Sequence, residues 1–291
     1  MIRTVRYEQA VYGSFPFWSR GYAVLSRSAG CRAEWLNALR LAGQRFGERP
    51  TGIAEKACLF ALCLHRGPWM IVGVFPQGND DQGRPGALAF HGLFVSPWTY
   101  RWSGASPFAF ASAFRRDWVK TDQDRLLPAG HIVLPGQEPP TAGVDDRRVE
   151  TIVEAIRRGQ KVVLASAHPI DDLANAVWRR LPGRTRRRAS VATWAFSTAN
   201  RFDLVAVPRL TGITPDPSEL VLEPDIVDGM SGQAEQRPAP VPPRSHAHFV
   251  SCFGPGEGVA LVARDRGRSR TTPPALRGRP RHRAAGDGPD R

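Results

Sequence analysis

The sequence has few lysines, no long apolar run and no signal-peptide pattern. Only Lys56, Lys120 and Lys161 occur, so arginine supplies nearly all of the net charge of +13. No apolar stretch approaches the roughly 18 residues that a membrane-spanning helix needs. The first nine residues carry charged side chains and are not followed by an apolar segment. These absences predict a cytoplasmic protein without a membrane segment.

The sequence also lacks the short motifs that mark common enzyme and cofactor sites. There is no GxxxxGK[ST], GxSxG, HExxH or GxGxxG pattern. Gly159-Gln160-Lys161 comes before a predicted strand, whereas a phosphate-binding loop follows one. The four cysteines form no CxxC pair and have no suitably spaced histidine pair. We therefore expect neither a cofactor nor a metal. Cys31 lies near a predicted helix start, where a thiol pKa can be lowered, or it is a simple buried thiol.

Hydrophobic patterning predicts an α+β fold in which helices pack on a largely antiparallel sheet. The predicted strands cover residues 5–12, 22–26, 57–65, 69–75, 87–95, 131–134, 161–165, 189–196 and 202–208. The predicted helices cover residues 31–46, 106–118, 145–158 and 169–181. Aromatic or aliphatic side chains recur at helical spacing in most of these helices, which favours a role in the core.

The composition divides the chain into four parts. Residues 1–210 are predicted to form the folded domain. This domain could consist of two subdomains, 1–143 and 144–210. Residues 211–248 read as a proline-rich linker, with six acidic residues and no lysine or arginine in 211–236. Residues 249–263 resemble the start of a folded element. Residues 264–291 are predicted to be a disordered, arginine-rich tail.

The tail biases the charge of the whole protein. It holds nine arginines against three aspartates, a net charge of +6, which leaves +7 for the preceding 263 residues. It has no aromatic residue, no lysine and one leucine, the mixture that GC-rich codons give when read out of frame. We expect a frame-shifted or truncated ending; a basic arm for an acidic partner is the alternative.

Two histidines are candidates for chemistry. His91 interrupts an apolar strand that follows Arg84-Pro85-Gly86, so it could be a general base, but no nucleophile or carboxylate is evident beside it. A structural histidine bonded inside the sheet is the alternative. His168 lies where a predicted strand passes into a helix, which suits either a ligand contact or a turn.

A basic run joins the predicted helix 169–181 to the following strand. Arg184, Arg186, Arg187 and Arg188 form it, with Arg179 and Arg180 nearby. Such a cluster can hold phosphates or an acidic partner, so nucleic-acid binding is one hypothesis. A solvated turn in an arginine-biased sequence is the other.

Three blocks of sequence resemble the N-terminal domain of the GTPase-associated protein family of bacterial conflict systems. They are 8–14 with Gly21-Tyr22 and 26–30; Arg84-Pro85-Gly86 with 91–95; and Leu181-Pro182 with 187–194. The resemblance implies a non-enzymatic, adaptor-like domain encoded beside a GTPase, and it brings no catalytic residues. Members of that family are usually longer, with further domains where this chain has its tail.

These observations leave three functional hypotheses. The first is a protein-interaction domain that binds a neighbouring NTPase or another system component. The second is an enzyme with His91 in its site, and the third is a nucleic-acid-binding protein that uses the basic run. The residues expected to bind a partner or ligand are Arg84, His91, Arg186, Arg187 and Arg188.

Overall fold

One β-sheet runs through the computed structural model, which describes residues 3–18, 20–134, 144–210 and 219–222. The strands are β1 Arg3–Gly13, β2 Ala23–Ser28, β3 Cys58–Cys63, β4 Trp69–Asn79, β5 Pro85–Val95, β6 Leu126–Leu127, β7 Gly130–Leu134, β8 Lys161–Ala165, β9 Val191–Ala192, β10 Leu204–Val207 and β11 Glu219–Leu222. The helices are α1 Ala33–Gln44, α2 Pro97–Trp102, α3 Asp146–Arg157, α4 Asp171–Arg180 and α5 Gly183–Arg186. The predicted α+β class, with helices on a largely antiparallel sheet, is confirmed.

The antiparallel part of the sheet is built on two long strands and their neighbours. Its order is β3-β4-β5-β1-β2, and β4 and β5 are each eleven residues long. The first half of β1 pairs with β7 and its second half with both β2 and β5, so β1 has three partner strands. β5 lies between β4 and β1 and is buried from Ala87 to Val95. A polar side chain in β5 must therefore find its partners inside the protein.

The other part of the sheet is parallel, in the order β11-β8-β10-β9. The amphipathic helices α3 and α4 pack against each other and α3 also packs on β8. β9 pairs antiparallel with β3 and joins the two parts. A single sheet therefore passes through both of the possible subdomains, 1–143 and 144–210.

Several predicted boundaries are wrong. The predicted helix 106–118 is a 3-10 helix, Phe108–Ala113, after which Phe114 has an extended backbone. Its aromatic spacing reflects separate contacts: Phe108 packs on Trp178, whereas Trp118 packs on His91. The predicted strands 189–196 and 202–208 are shorter in the structure, where they form β9 and β10. β9 ends at Ala192 because the chain bends at Thr193. β9 and β10 pair in parallel.

The C-terminal predictions fall largely outside the described residues. Within the predicted linker, Glu219–Leu222 forms β11 on the free edge of β8. The remainder of the linker, the partial element 249–263 and the tail 264–291 lie outside the described residues. Among the helices that the structure describes, none has the length and apolar character to cross a membrane.

A glycine in β7 makes a testable contribution to stability. Gly130 lies directly opposite Tyr7 of β1, and a Cβ at Gly130 would overlap the buried Tyr7 ring. We expect Gly130→Ala to lower the free energy of unfolding by about 1–3 kcal/mol, the usual cost of overpacking. Chemical denaturation measures this, with Gly183→Ala as control, since only the Arg186 guanidinium, 4.0 Å away, approaches that Cβ. Equal stability of both variants would contradict the packing account.

Candidate functional site

His91 lies in the middle of β5 and is 1% exposed. Its Nδ1 accepts a hydrogen bond from the backbone N–H of Arg115 at 3.1 Å. Because Nδ1 is an acceptor, the ring proton is on Nε2, which donates to Oε1 of Gln9 at 2.9 Å. The edges of two aromatic rings, Phe114 and Trp118, enclose the imidazole. Both ring nitrogens are thus used within the fold.

The environment of His91 keeps the imidazole neutral. Burial, together with the smaller effect of the positive charge of Arg115, lowers its pKa to about 3. A general base needs a nitrogen that faces a substrate. Neither nitrogen of His91 does so, and this geometry favours the structural alternative.

Arg115 extends the His91 contacts into an ion-pair network. Its guanidinium binds both carboxylate oxygens of Asp122, at 2.9 and 2.8 Å, and lies 4.6 Å from the Trp118 ring centre. The Val119 N–H donates to the same carboxylate. Burial acts to raise the pKa of Asp122, but Arg115 and the Val119 N–H outweigh it and the pKa is lowered. The segment after Phe114 is thereby fixed against β5.

Arg84 closes the loop between β4 and β5. Its Nε donates to Asp80 Oδ2 at 2.7 Å, and the Arg84 N–H donates to Asp80 Oδ1. The loop borders a cavity of about 920 Å³, which we call the tyrosine pocket; Tyr12, Tyr22, Arg49, Arg84 and Phe90 are among its lining residues. The first two blocks of the family resemblance therefore meet at this pocket.

The first part of the basic run forms a short helix, α5. Arg184, Arg187 and Arg188 are exposed on or beside α5, while Nε of Arg186 is buried without a hydrogen-bond partner among the described residues. Arg180 of α4 pairs with both Asp146 and Glu150 of α3, which neutralises part of the cluster. No hydrogen bond, ion pair or ring contact within the described residues joins this run to Arg84 or His91.

Two other residues from the sequence analysis have plain structural roles. His168 is exposed in the turn between β8 and α4, where its Nδ1 lies 2.9 Å from Lys56 Nζ. Cys31 is buried and its thiol donates to the Gln9 carbonyl. Burial raises the pKa of Cys31, so the helix start does not make this thiol reactive. No cluster of three or more possible metal ligands occurs among the described residues.

The sequence analysis missed α2, which presents two tryptophans to solvent. Trp98 is 61% exposed and Trp102 is 51% exposed, with ring centres 5.7 Å apart. The guanidinium of Arg101 lies 5.9 Å from the Trp98 ring centre. The signal for this helix was Ser96-Pro97: Ser96 accepts a hydrogen bond from the Thr99 N–H as the N-cap, and proline occupies the first helical position.

The opposite face of α2 is firmly held. Tyr100 is fully buried, and its ring stacks on that of Trp69 in β4 with centroids 4.0 Å apart. Stacked aromatic pairs of this kind contribute about 0.5–1.5 kcal/mol beyond their buried area. The two exposed tryptophans therefore project from a fixed base.

A cleft of about 880 Å³ adjoins α2, and we call it the arginine–tryptophan cleft. Its wall includes Arg6, Arg32, Trp35, Arg66, Pro97 and Thr99. Trp35 of α1 stacks on Phe94 of β5, with ring centroids 5.4 Å apart, and the Arg32 guanidinium lies 5.4 Å from the Trp35 ring centre. Pro97 and Thr99, the sequence neighbours of Trp98, both line the cleft, so α2 contributes to its wall.

Comparison with protein-family models and with curated proteins found no match to this sequence.

The neutral state of His91 predicts a pH-dependent stability. The unfolded state binds a proton near pH 6.5 and the folded state only near pH 3, so stability is complete above pH 6.5 and falls as the pH is lowered towards 3. We expect the free energy of unfolding to fall by roughly 2 kcal/mol between pH 7 and pH 5 because of this histidine. Denaturation curves of His91→Gln should lack this slope, while those of the exposed control His131→Gln should keep it. Retention of the full slope in His91→Gln would refute the assignment.

The Arg115–Asp122 pair gives a second prediction. Asp122→Ala leaves a partly buried guanidinium without its bidentate partner, and we expect a loss of about 2–3 kcal/mol in unfolding free energy. Asp117 is the matched control, since it also binds Arg115 but its side chain is 85% exposed. Asp117→Ala should change the stability by less than about 0.5 kcal/mol. Urea denaturation measures both, and equal losses would be inconsistent with the proposed network.

Proposed function

We propose that this chain is a non-enzymatic protein-interaction domain, an adaptor in a bacterial GTPase-associated defence or signalling system. Its partner would be a neighbouring NTPase or another component of that system, and it would act in the cytoplasm. The observation that carries the proposal is the exposed face of α2, where Trp98, Arg101 and Trp102 lie together.

The chemistry of this face suits a protein partner. Tryptophan and arginine are enriched among the residues that dominate binding energy at protein interfaces. Large aromatic side chains clustered on a surface mark interaction sites more often than isolated apolar residues do. The Tyr100–Trp69 stack holds α2 in place, which lowers the entropy lost when a partner binds.

The family resemblance supports the same function, since it implies an adaptor without catalytic residues. His91 supports it indirectly, because both of its ring nitrogens are occupied within the sheet. The exposed arginines of α5 do not line the arginine–tryptophan cleft, and their neutralisation provides a test of the nucleic-acid alternative.

Removal of the two tryptophans tests the proposal. We expect Trp98→Ala/Trp102→Ala to weaken the complex with the NTPase encoded beside this protein by about thirtyfold or more, as for interface residues worth at least about 2 kcal/mol. Isothermal titration calorimetry measures the Kd, and thermal unfolding checks that the fold is kept.

The matched control is Leu126→Ala/Val133→Ala, which removes two other exposed apolar side chains, on β6 and β7. This variant should bind the NTPase like the unmodified protein. The proposal fails if the unmodified protein does not bind any component of the system, or if the tryptophan variant binds with unchanged affinity.

A further inference from the structure

Three arginines around the arginine–tryptophan cleft have no carboxylate partner among the described residues. They are Arg32 and Arg66 in the cleft wall and Arg101 on α2. Arg6 is different, since it pairs with Glu8 at 2.8 Å. Glu34 is the remaining carboxylate of the cleft wall, and Glu8 also accepts a hydrogen bond from Ser28. The unpaired charge of this surface is therefore positive.

Two of these guanidinium groups are held by aromatic rings. Arg32 lies over Trp35 and Arg101 lies over Trp98, each within 6 Å of the ring centre. A guanidinium that stacks on a ring keeps its N–H groups in the plane, where they can bind a carboxylate with two parallel hydrogen bonds. The rings thus orient the arginines for carboxylate recognition.

Arg66 has an unusual backbone at the turn between β3 and β4. Its φ is +51°, in the left-handed region that asparagine and glycine adopt at lower cost. The turn itself is closed by the Gly67 N–H, which donates to the Leu64 carbonyl. The side chain of Arg66 is exposed and lines the cleft.

We infer that the partner binds the arginine–tryptophan cleft with an acidic peptide segment that also carries an apolar or aromatic side chain. This inference rests on the proposed function and specifies the chemistry of the partner. Carboxylates of the segment would pair with Arg32, Arg66 and Arg101, and its apolar residue would contact Trp35 and Trp98.

Charge and shape decide between this occupant and others. A second copy of the chain is disfavoured, since each copy carries a net charge of +13. A nucleic acid carries a phosphate at every nucleotide and would bring some against Glu8 and Glu34 in the cleft wall. A peptide can place its carboxylates at the arginines and its backbone N–H groups at these two glutamates. The aromatic floor formed by Trp35 on Phe94 suits a side chain that enters the cleft.

Binding of synthetic probes to the full chain tests the inference. The probes are a fluorescein-labelled twelve-residue peptide of Asp and Glu with a central tryptophan, the same peptide with Asn and Gln in place of the acids, and a twelve-nucleotide single-stranded DNA. The cleft variant is Arg32→Gln/Arg66→Asn/Arg101→Gln, in which asparagine suits the left-handed turn. The control Arg184→Gln/Arg187→Gln/Arg188→Gln removes the same charge from α5.

Fluorescence anisotropy should show that the acidic peptide binds the unmodified protein and that added salt weakens binding. The cleft variant should lose roughly tenfold or more in affinity, because each exposed ion pair contributes up to about fivefold. The α5 control should stay within about twofold, and the amide peptide should bind poorly. Equal loss in both variants, or tighter binding of the DNA with loss in the α5 control, would overturn the inference.

The same variants separate this inference from the proposed function. If the unmodified protein and the cleft variant bind the NTPase equally well, the acidic-segment inference fails while the adaptor function stands. If no system component binds but the peptide results are as expected, the adaptor function fails and the preference of the cleft for an acidic peptide stands.

Discussion

His91 is held uncharged inside the antiparallel part of the sheet because its two ring nitrogens bind Gln9 of β1 and the backbone of Arg115. This contact ties three segments together: the central strand β5, its neighbour β1 and the loop that continues to Asp122. Burial of an imidazole without these two partners would leave unsatisfied polar atoms, at a cost of about 1–3 kcal/mol each. The central strand therefore keeps one position relative to its neighbours.

The position of β5 sets the position of the proposed binding surface. Four residues after His91 the strand ends at Val95, and Ser96 immediately caps α2. Phe94, just before this junction in the chain, stacks on Trp35, and Tyr100, just after it, stacks on Trp69. The exposed tryptophans thus follow directly after this buried strand, and Phe94 of the same strand supports Trp35 in the cleft. A recognition surface on such a rigid base loses little conformational entropy when it binds.

The sequence predicted elements with a clear local pattern. β8 has the predicted bounds because Val162, Val163 and Leu164 form a fully buried run, and α3 follows its apolar stripe closely. It did not predict α2, whose six residues are too few for a helical stripe, nor the parallel pairing of β9 with β10, which depends on distant residues. Of the candidate site residues, Arg84 and His91 proved to be bonded within the fold. The cleft is lined by residues from α1, the β3–β4 turn and α2. These segments are far apart in the sequence, so no local sequence pattern predicts that they lie together.

Hydrogen–deuterium exchange of the full chain, with and without the proposed NTPase partner, tests the central claim most directly. The account predicts that the complex slows exchange in two segments, residues 63–68 at the β3–β4 turn and residues 96–103 around α2. Slower exchange confined to α5 or to the β4–β5 loop, with both of these segments unchanged, would contradict it.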